Sequence, residues 1–238
     1  MGNKKTSDSV LSPKEKLRQQ LEVVKSSTST HARITKLVQR DRIELSFAQR
    51  RLWFLSQYAG GQDVTYNMPL ALRLKGNLDT AALARALNTL VERHESLRTH
   101  FQQLPAQTEL EQVITEAPDF EMPVVTVEAE EEQEHIEANS RHAFNLSTGP
   151  LFRASLLHIS GQDHVLLICM HHIISDGWSL GILTRELSTL YQAYQQGKEN
   201  PLSALPIQYA DYAHWQREWL QGEQLTRQLD YWREQLTG

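Results

Sequence analysis

Hydrophobic residues recur along this chain at two spacings, and the switches between them mark its elements. Leu70, Leu72 and Leu74 alternate with Ala71, Arg73 and Lys75, the two-residue period of a strand with one buried face. After Gly76-Asn77 the period lengthens, and Leu83, Leu87, Leu90 and Val91 share one face of a helix. Leu97, Thr99 and Phe101 predict a further strand. Phe152–Ile159 and His164–Met170 read as two strands joined at Ser160-Gly161-Gln162-Asp163, a hairpin signal. The second of these is almost wholly apolar, which suits a central strand covered on both sides. Steps of three and four then link Leu180, Leu183, Leu187, Leu190 and Tyr194 into an amphipathic helix that stops at Gly197. Nearer the start, Ser46-Phe47-Ala48-Gln49 is a capping box that opens a helix with Leu52, Trp53 and Leu55, ending at Gly60-Gly61. Pro201 and Pro206 precede one last helical stretch rich in aromatics: Tyr209, Tyr212, Trp215 and Trp219. Strands alternating with helices predict an α/β layered fold with a mixed sheet.

Charge changes this picture at the N-terminus. Residues 1–42 hold ten Lys/Arg against four Asp/Glu, so a chain of net charge −5 carries −11 outside its leader. A basic leader raises the question of nucleic acid. Its charges are scattered among Ser, Thr and Gln with no aromatic residue to stack on bases, which argues against that partner. Ser12-Pro13-Lys14-Glu15 starts a short helix with Leu17, Leu21 and Val24 on one face, and Ser26–Thr30 is a spacer. Residues 1–42 thus read as a basic linker with one short helix. Glu109–Glu137 contains eleven acidic residues and no Lys or Arg. A solvated strand-loop-helix face is the expectation there, and a docking surface for a basic partner is the alternative. Met1–Val10 is polar, and no apolar run approaches the roughly 20 residues that span a bilayer. The single cysteine, Cys169, lies in the apolar run and has no partner for a disulfide. These features point to a soluble cytoplasmic chain with no membrane partner.

One segment concentrates reactive side chains: His171-His172-Ile173-Ile174-Ser175-Asp176-Gly177-Trp178. It falls where the apolar strand ends and the amphipathic helix begins. Adjacent strand residues point to opposite faces. Only one of the two histidines can therefore enter a given cleft, while the other packs behind it. An imidazole suits acid–base work near neutrality. Gly177 leaves the backbone uncovered for a thin substrate. No His-x-His or His-x-x-x-His spacing and no cysteine cluster supports a metal. Phosphate-loop and nucleophile-elbow patterns are absent as well. From these residues alone, a catalytic and a structural histidine pair stand about level.

The stretch Met170–Ser179 resembles the His-His-x-x-x-Asp-Gly signature of nonribosomal peptide synthetase condensation domains, in the chloramphenicol-acetyltransferase-like superfamily. Three further stretches resemble motifs of the same family in the same order. They are Ser46–Leu55, Arg93–Phe101 and Tyr209–Gln216. The resemblance covers residues 43–238. It implies an acyltransferase that forms an amide bond between a donor acyl or peptidyl thioester and an acceptor aminoacyl thioester. Both substrates ride on phosphopantetheine arms of upstream and downstream peptidyl carrier proteins, and no cofactor is bound directly. His172 is then the catalytic histidine that takes the amine proton or stabilises the tetrahedral intermediate. His171 is its structural partner, Asp176 an ion-paired organiser, and Gly177 the gap beside the donor arm. Arg50 and Arg98 hold the lobe together. The wording Asp176-Gly177-Trp178-Ser179 resembles the subtype that joins two L-residues.

Family members are about twice as long, with two similar lobes around a V-shaped cleft. The resemblance therefore assigns residues 43–205 to the N-terminal lobe and 206–238 to the start of the connection to a C-terminal lobe that is missing here. The ion-pair partner of Asp176 is expected to be missing with it. His142-Ala143-Phe144-Asn145 departs from the commoner Arg-Pro-Phe-Asp. Two other readings stay open: a stand-alone acyltransferase with its cleft between identical copies, and an inert fragment or carrier-docking module.

Overall fold

The computed structural model describes residues 33–61, 63–103 and 110–237. The short helix expected after Ser12 lies outside the described residues. The compact unit Ile34–Gly238 contains six strands and six α-helices among its described residues.

The apolar strand takes the place its composition called for. β6 (Asp163–His171) sits inside a four-stranded sheet of order β1-β6-β5-β4, and all but its first residue are buried. β1 (Asn67–Lys75) pairs with it antiparallel, Leu70 opposite Ile168 and Leu72 opposite Leu166. β5 (Phe152–Ser160) pairs on the other side, also antiparallel, and β4 (Val124–Thr126) adds a parallel edge. β1, at the other edge, alternates as its sequence does. Arg73 on its outer face bonds Asp163 at 2.8 Å and Glu132 at 2.9 Å.

Side-chain alternation along β6 gives the sheet two covered faces. Leu166, Ile168 and Met170 join the main core with Leu83, Leu87 and Leu90 of α2 (Thr80–Arg93) and Leu183, Leu187 and Leu190 of α4 (Gly177–Gln195). Val165 and Leu167 form a smaller cluster with Val127 and Leu157, capped by Ile136 of α3 (Glu132–Ser140). Cys169 is fully buried in the main core, and desolvation pushes its thiol up to about 11, so it acts as a small hydrophobe.

Two expectations change in detail. Leu97 belongs to a 3-10 turn, Glu95–Arg98, and the strand β2 starts only at Thr99 (Thr99–Gln103), paired with β3 (Leu110–Ile114). Leu97 is still buried. The Leu97 N–H donates to the His94 carbonyl at 3.0 Å and the Thr99 hydroxyl to the Glu95 carbonyl at 2.7 Å, so the turn satisfies the pattern that was read as a strand. The last helical stretch is two helices, α5 (Tyr209–Trp219) and α6 (Gly222–Leu236). Gly222, at φ +51°, makes the break in a conformation that side chains with a Cβ resist. α6 buries none of its residues, and Leu225, Leu229, Trp232 and Leu236 lie exposed along it.

Residues 34–42 lie against the body of this unit. The Leu37 N–H donates to Asp211 at 2.9 Å, and Arg40 pairs with Glu95. The departure at Asn145 keeps its turn, because its side-chain oxygen accepts from the Ser147 N–H at 2.9 Å. Phe144 beside it is buried.

Candidate active site

The end of β6 separates the two histidines. His171 is 2% exposed, between Tyr66 and Phe144. Its Nδ1 accepts from the Ile173 N–H at 3.1 Å, so in the neutral ring that nitrogen carries no proton. Burial, reinforced by the neighbouring charge of His172, pushes its pKa down to about 4. His171 is thus a neutral packing residue at physiological pH.

His172 stays on the sheet for one more step, its N–H donating to the Tyr66 carbonyl at 2.8 Å. Its ring turns outward and is exposed. Nδ1 lies 2.7 Å from the Ser175 carbonyl. A carbonyl only accepts, so Nδ1 is the protonated nitrogen and Nε2 carries the free lone pair. That bond fixes the tautomer and leaves Nε2 without a hydrogen-bond partner among the described residues.

Asp176 is the N-cap of α4. Its Oδ1 accepts from the Ser179 N–H at 2.8 Å and the Ser179 hydroxyl at 2.6 Å, and these bonds hold the carboxyl below its usual range. The bonds seen at Asp176 are therefore those of a helix cap. Gly177 follows as the first helical residue. A Cβ built there meets nothing within 4 Å, so neither packing nor φ asks for glycine. Trp178 is 83% exposed.

A cavity of about 320 Å³ opens at His172. Gln49 and Leu52 of α1 (Phe47–Tyr58), Ser96 of the 3-10 turn and Tyr209 of α5 line it together with His172. Each of the four sequence motifs thus contributes a wall. Gln49 belongs to the capping box, accepting from the Ser46 N–H at 2.9 Å. The Tyr209 hydroxyl bonds the Ser46 hydroxyl at 3.0 Å, and burial raises its pKa.

The two arginines part ways. Arg98 donates to the Thr115 carbonyl and so ties the 3-10 turn to the end of β3. Arg50 is exposed and makes no side-chain bond among the described residues, so the structure gives it no part in holding the lobe. Its neighbour Arg51 faces the cavity instead. Sequence reading passed over Arg51, Ser96 and Tyr209 as site residues. For Arg51 a signal was available: it lies three residues after Ala48 and one before Leu52, on the face of α1 that both share.

The family profile described as "Condensation domain" matches residues 39–238. The chain belongs to the condensation domain family. Malpinin synthetase of Mortierella alpina is 45% identical over 210 residues, covering 86% of this chain and 3% of that protein. Among solved structures, the X-domain in complex with OxyB from teicoplanin biosynthesis is 29% identical with a TM-score of 0.79, covering 87% of this chain and 46% of that one. The starter condensation domain of rhizomide synthetase RzmA, 22% identical with a TM-score of 0.73, shares the fold over 84% of this chain and 50% of its own. The chain thus spans about half of these solved domains and a small part of the synthetase. Its mixed sheet covered by helices is the chloramphenicol-acetyltransferase-like lobe the motifs led us to expect.

Proposed function

We propose that this condensation-domain half supplies the histidine wall of a cleft in which an amide bond forms between two carrier-bound substrates. The free amine of an aminoacyl thioester attacks the carbonyl of an acyl or peptidyl thioester. A C–N bond forms, the C–S bond breaks, the amine proton passes to His172 Nε2, and the departing thiolate takes it back. The Ser175 carbonyl keeps the ring in the tautomer that makes this transfer possible, while Gly177 leaves room for a phosphopantetheine arm. The observation that carries the reading is the meeting of all four motifs around one cavity, with His172 in its wall. Upstream and downstream peptidyl carrier proteins are the partners, and the second lobe of the family completes the cleft. No helix among the described residues is long and apolar enough to cross a membrane. The buried free thiol of Cys169 suits the reducing cytoplasm, where we place the chain.

The test is intact-mass analysis of an acceptor carrier incubated with a loaded donor carrier and this chain, with and without a matching second lobe. Product that disappears with His172→Ala is the expected result. Product that survives His172→Ala refutes the role of the histidine. A second reading, docking without turnover, is favoured by the solved X-domain, which is seen bound to another protein. It predicts carrier binding that is indifferent to His172→Ala and no product in any combination.

A further inference from the structure

A smaller cavity of about 90 Å³ lies between the 3-10 turn and α4. It shares Ser96, Ile174, Ser175 and Ser179 with the wall of the His172 cavity, so the two spaces adjoin. Away from that shared wall it is lined by Leu97, Met170, Ile182 and Leu183, with one imidazole, His94. The His94 Nε2 is already engaged by Glu186 at 2.7 Å, and Glu186 also accepts from Arg93 at 3.1 Å. The polar capacity at this end is thus taken up within the protein. What is offered to a ligand is mostly hydrocarbon, beside the residues that orient the His172 ring.

We propose that this cavity receives the apolar side chain of an aminoacyl thioester whose reacting group sits at His172. The assignment rests on the function proposed above and specifies part of its substrate. Its size sets the class. A dry cavity of about 150 Å³ takes up benzene, so about 90 Å³ holds roughly three to four carbons on the same scale. Valine, leucine and isoleucine side chains fit that limit. Tryptophan exceeds it, and a charged side chain would be stranded without a partner.

The probes are N-acetylcysteamine thioesters of glycine, alanine, leucine and tryptophan, each with a free amine or N-acetylated. Binding to the full chain, labelled at Ile and Leu methyls, is followed by NMR. Each buried methylene contributes a factor of about 4 in affinity. The leucyl probe is therefore expected to bind at least about ten-fold tighter than the alanyl probe and to shift the Ile182 and Leu183 methyls. The series that responds tells acceptor (free amine) from donor (acetylated). Ile182→Trp should abolish the leucyl preference and leave glycyl binding unchanged. Ile182→Ala should move the optimum to a larger side chain, which guards against misfolding of the first variant. Equal affinity for glycyl and leucyl probes, a preference that persists in Ile182→Trp, or no binding of any probe overturns the proposal. Side-chain preference is read here without turnover. Product formation without a preference would sink this pocket alone, and a preference without product would sink only the catalytic reading.

Discussion

Replacing Asp176 by alanine removes the acceptor that holds the first turn of α4, with its bonds to the Ser179 amide and hydroxyl. Loss of such a cap costs about 1 kcal/mol. The negative charge near the helix N-terminus adds about 0.3–1 kcal/mol, toward the lower end here because the site is open to solvent and salt. A total of about 1.5 kcal/mol in a unit of this size lowers Tm by about 3–6 °C. Asparagine keeps the capping oxygen and loses only the charge, so Asp176→Asn should cost a few tenths of a kcal/mol. An ion pair made by Asp176 within this chain would predict instead that asparagine is as damaging as alanine.

Urea unfolding of wild type, Asp176→Ala and Asp176→Asn at several pH values separates the two roles. The Ser179 bonds hold the Asp176 pKa below its unfolded value. The stability it contributes is therefore fully present above about pH 4 and lost as pH falls through the folded pKa. The gap between wild type and Asp176→Ala should narrow below that point. An asparagine variant as unstable as the alanine variant, or a gap that widens on acidification, would refute the capping argument.

Three further outcomes follow from the same geometry. His171 is neutral in the fold down to about pH 4, whereas an unfolded histidine takes its proton near pH 6.5. Folding stability should therefore fall as pH drops from about 6.5 toward 4, by at most about 3 kcal/mol, and pH-dependent denaturation of His171→Gln should show a flatter profile. Gly177→Ala should fold with equal or greater stability by thermal melting, since a Cβ there meets nothing, while lowering product formation in a completed domain. Tyr209→Phe removes the bond to Ser46 and should cost about 1 kcal/mol in urea unfolding.

The fold was legible wherever burial is periodic. β1, α2 and α4 each present one face to the main core, and a side chain on the wrong face would cost its burial, so the period shows in the residues; β6, covered on both faces, shows instead as an unbroken apolar run. Leu97 shows the limit of that logic. Three alternating residues are too few to tell a strand from a turn that buries the same leucine. The break between α5 and α6 was missed because its signal was the single residue Gly222. The site was legible as far as it is local. His171 and His172 are separated by strand alternation, and both their ring bonds close within three residues. The remaining walls come from residues up to 163 apart in sequence, as the Ser46–Tyr209 bond illustrates. Arg51, which the sequence analysis did not single out, shares a helical face with Ala48 and Leu52 of the cavity wall.

In α6, pattern and burial disagree. Leu225, Leu229, Trp232 and Leu236 fall at helical steps along one side, the signature of a face meant for an apolar neighbour. Yet the helix buries none of its residues, and these four are 38%, 45%, 55% and 78% exposed. A helix of this length is marginal on propensity alone, so its stability must come from whatever covers that side. Periodicity reports which face is to be covered and carries no information about the cover. The same asymmetry governs the His172 cavity. The tautomer and direction of the ring are set by backbone groups inside this lobe, and so travel with it. The Ser175 carbonyl that sets the His172 tautomer lies three residues away, so that feature of the site is local to this chain.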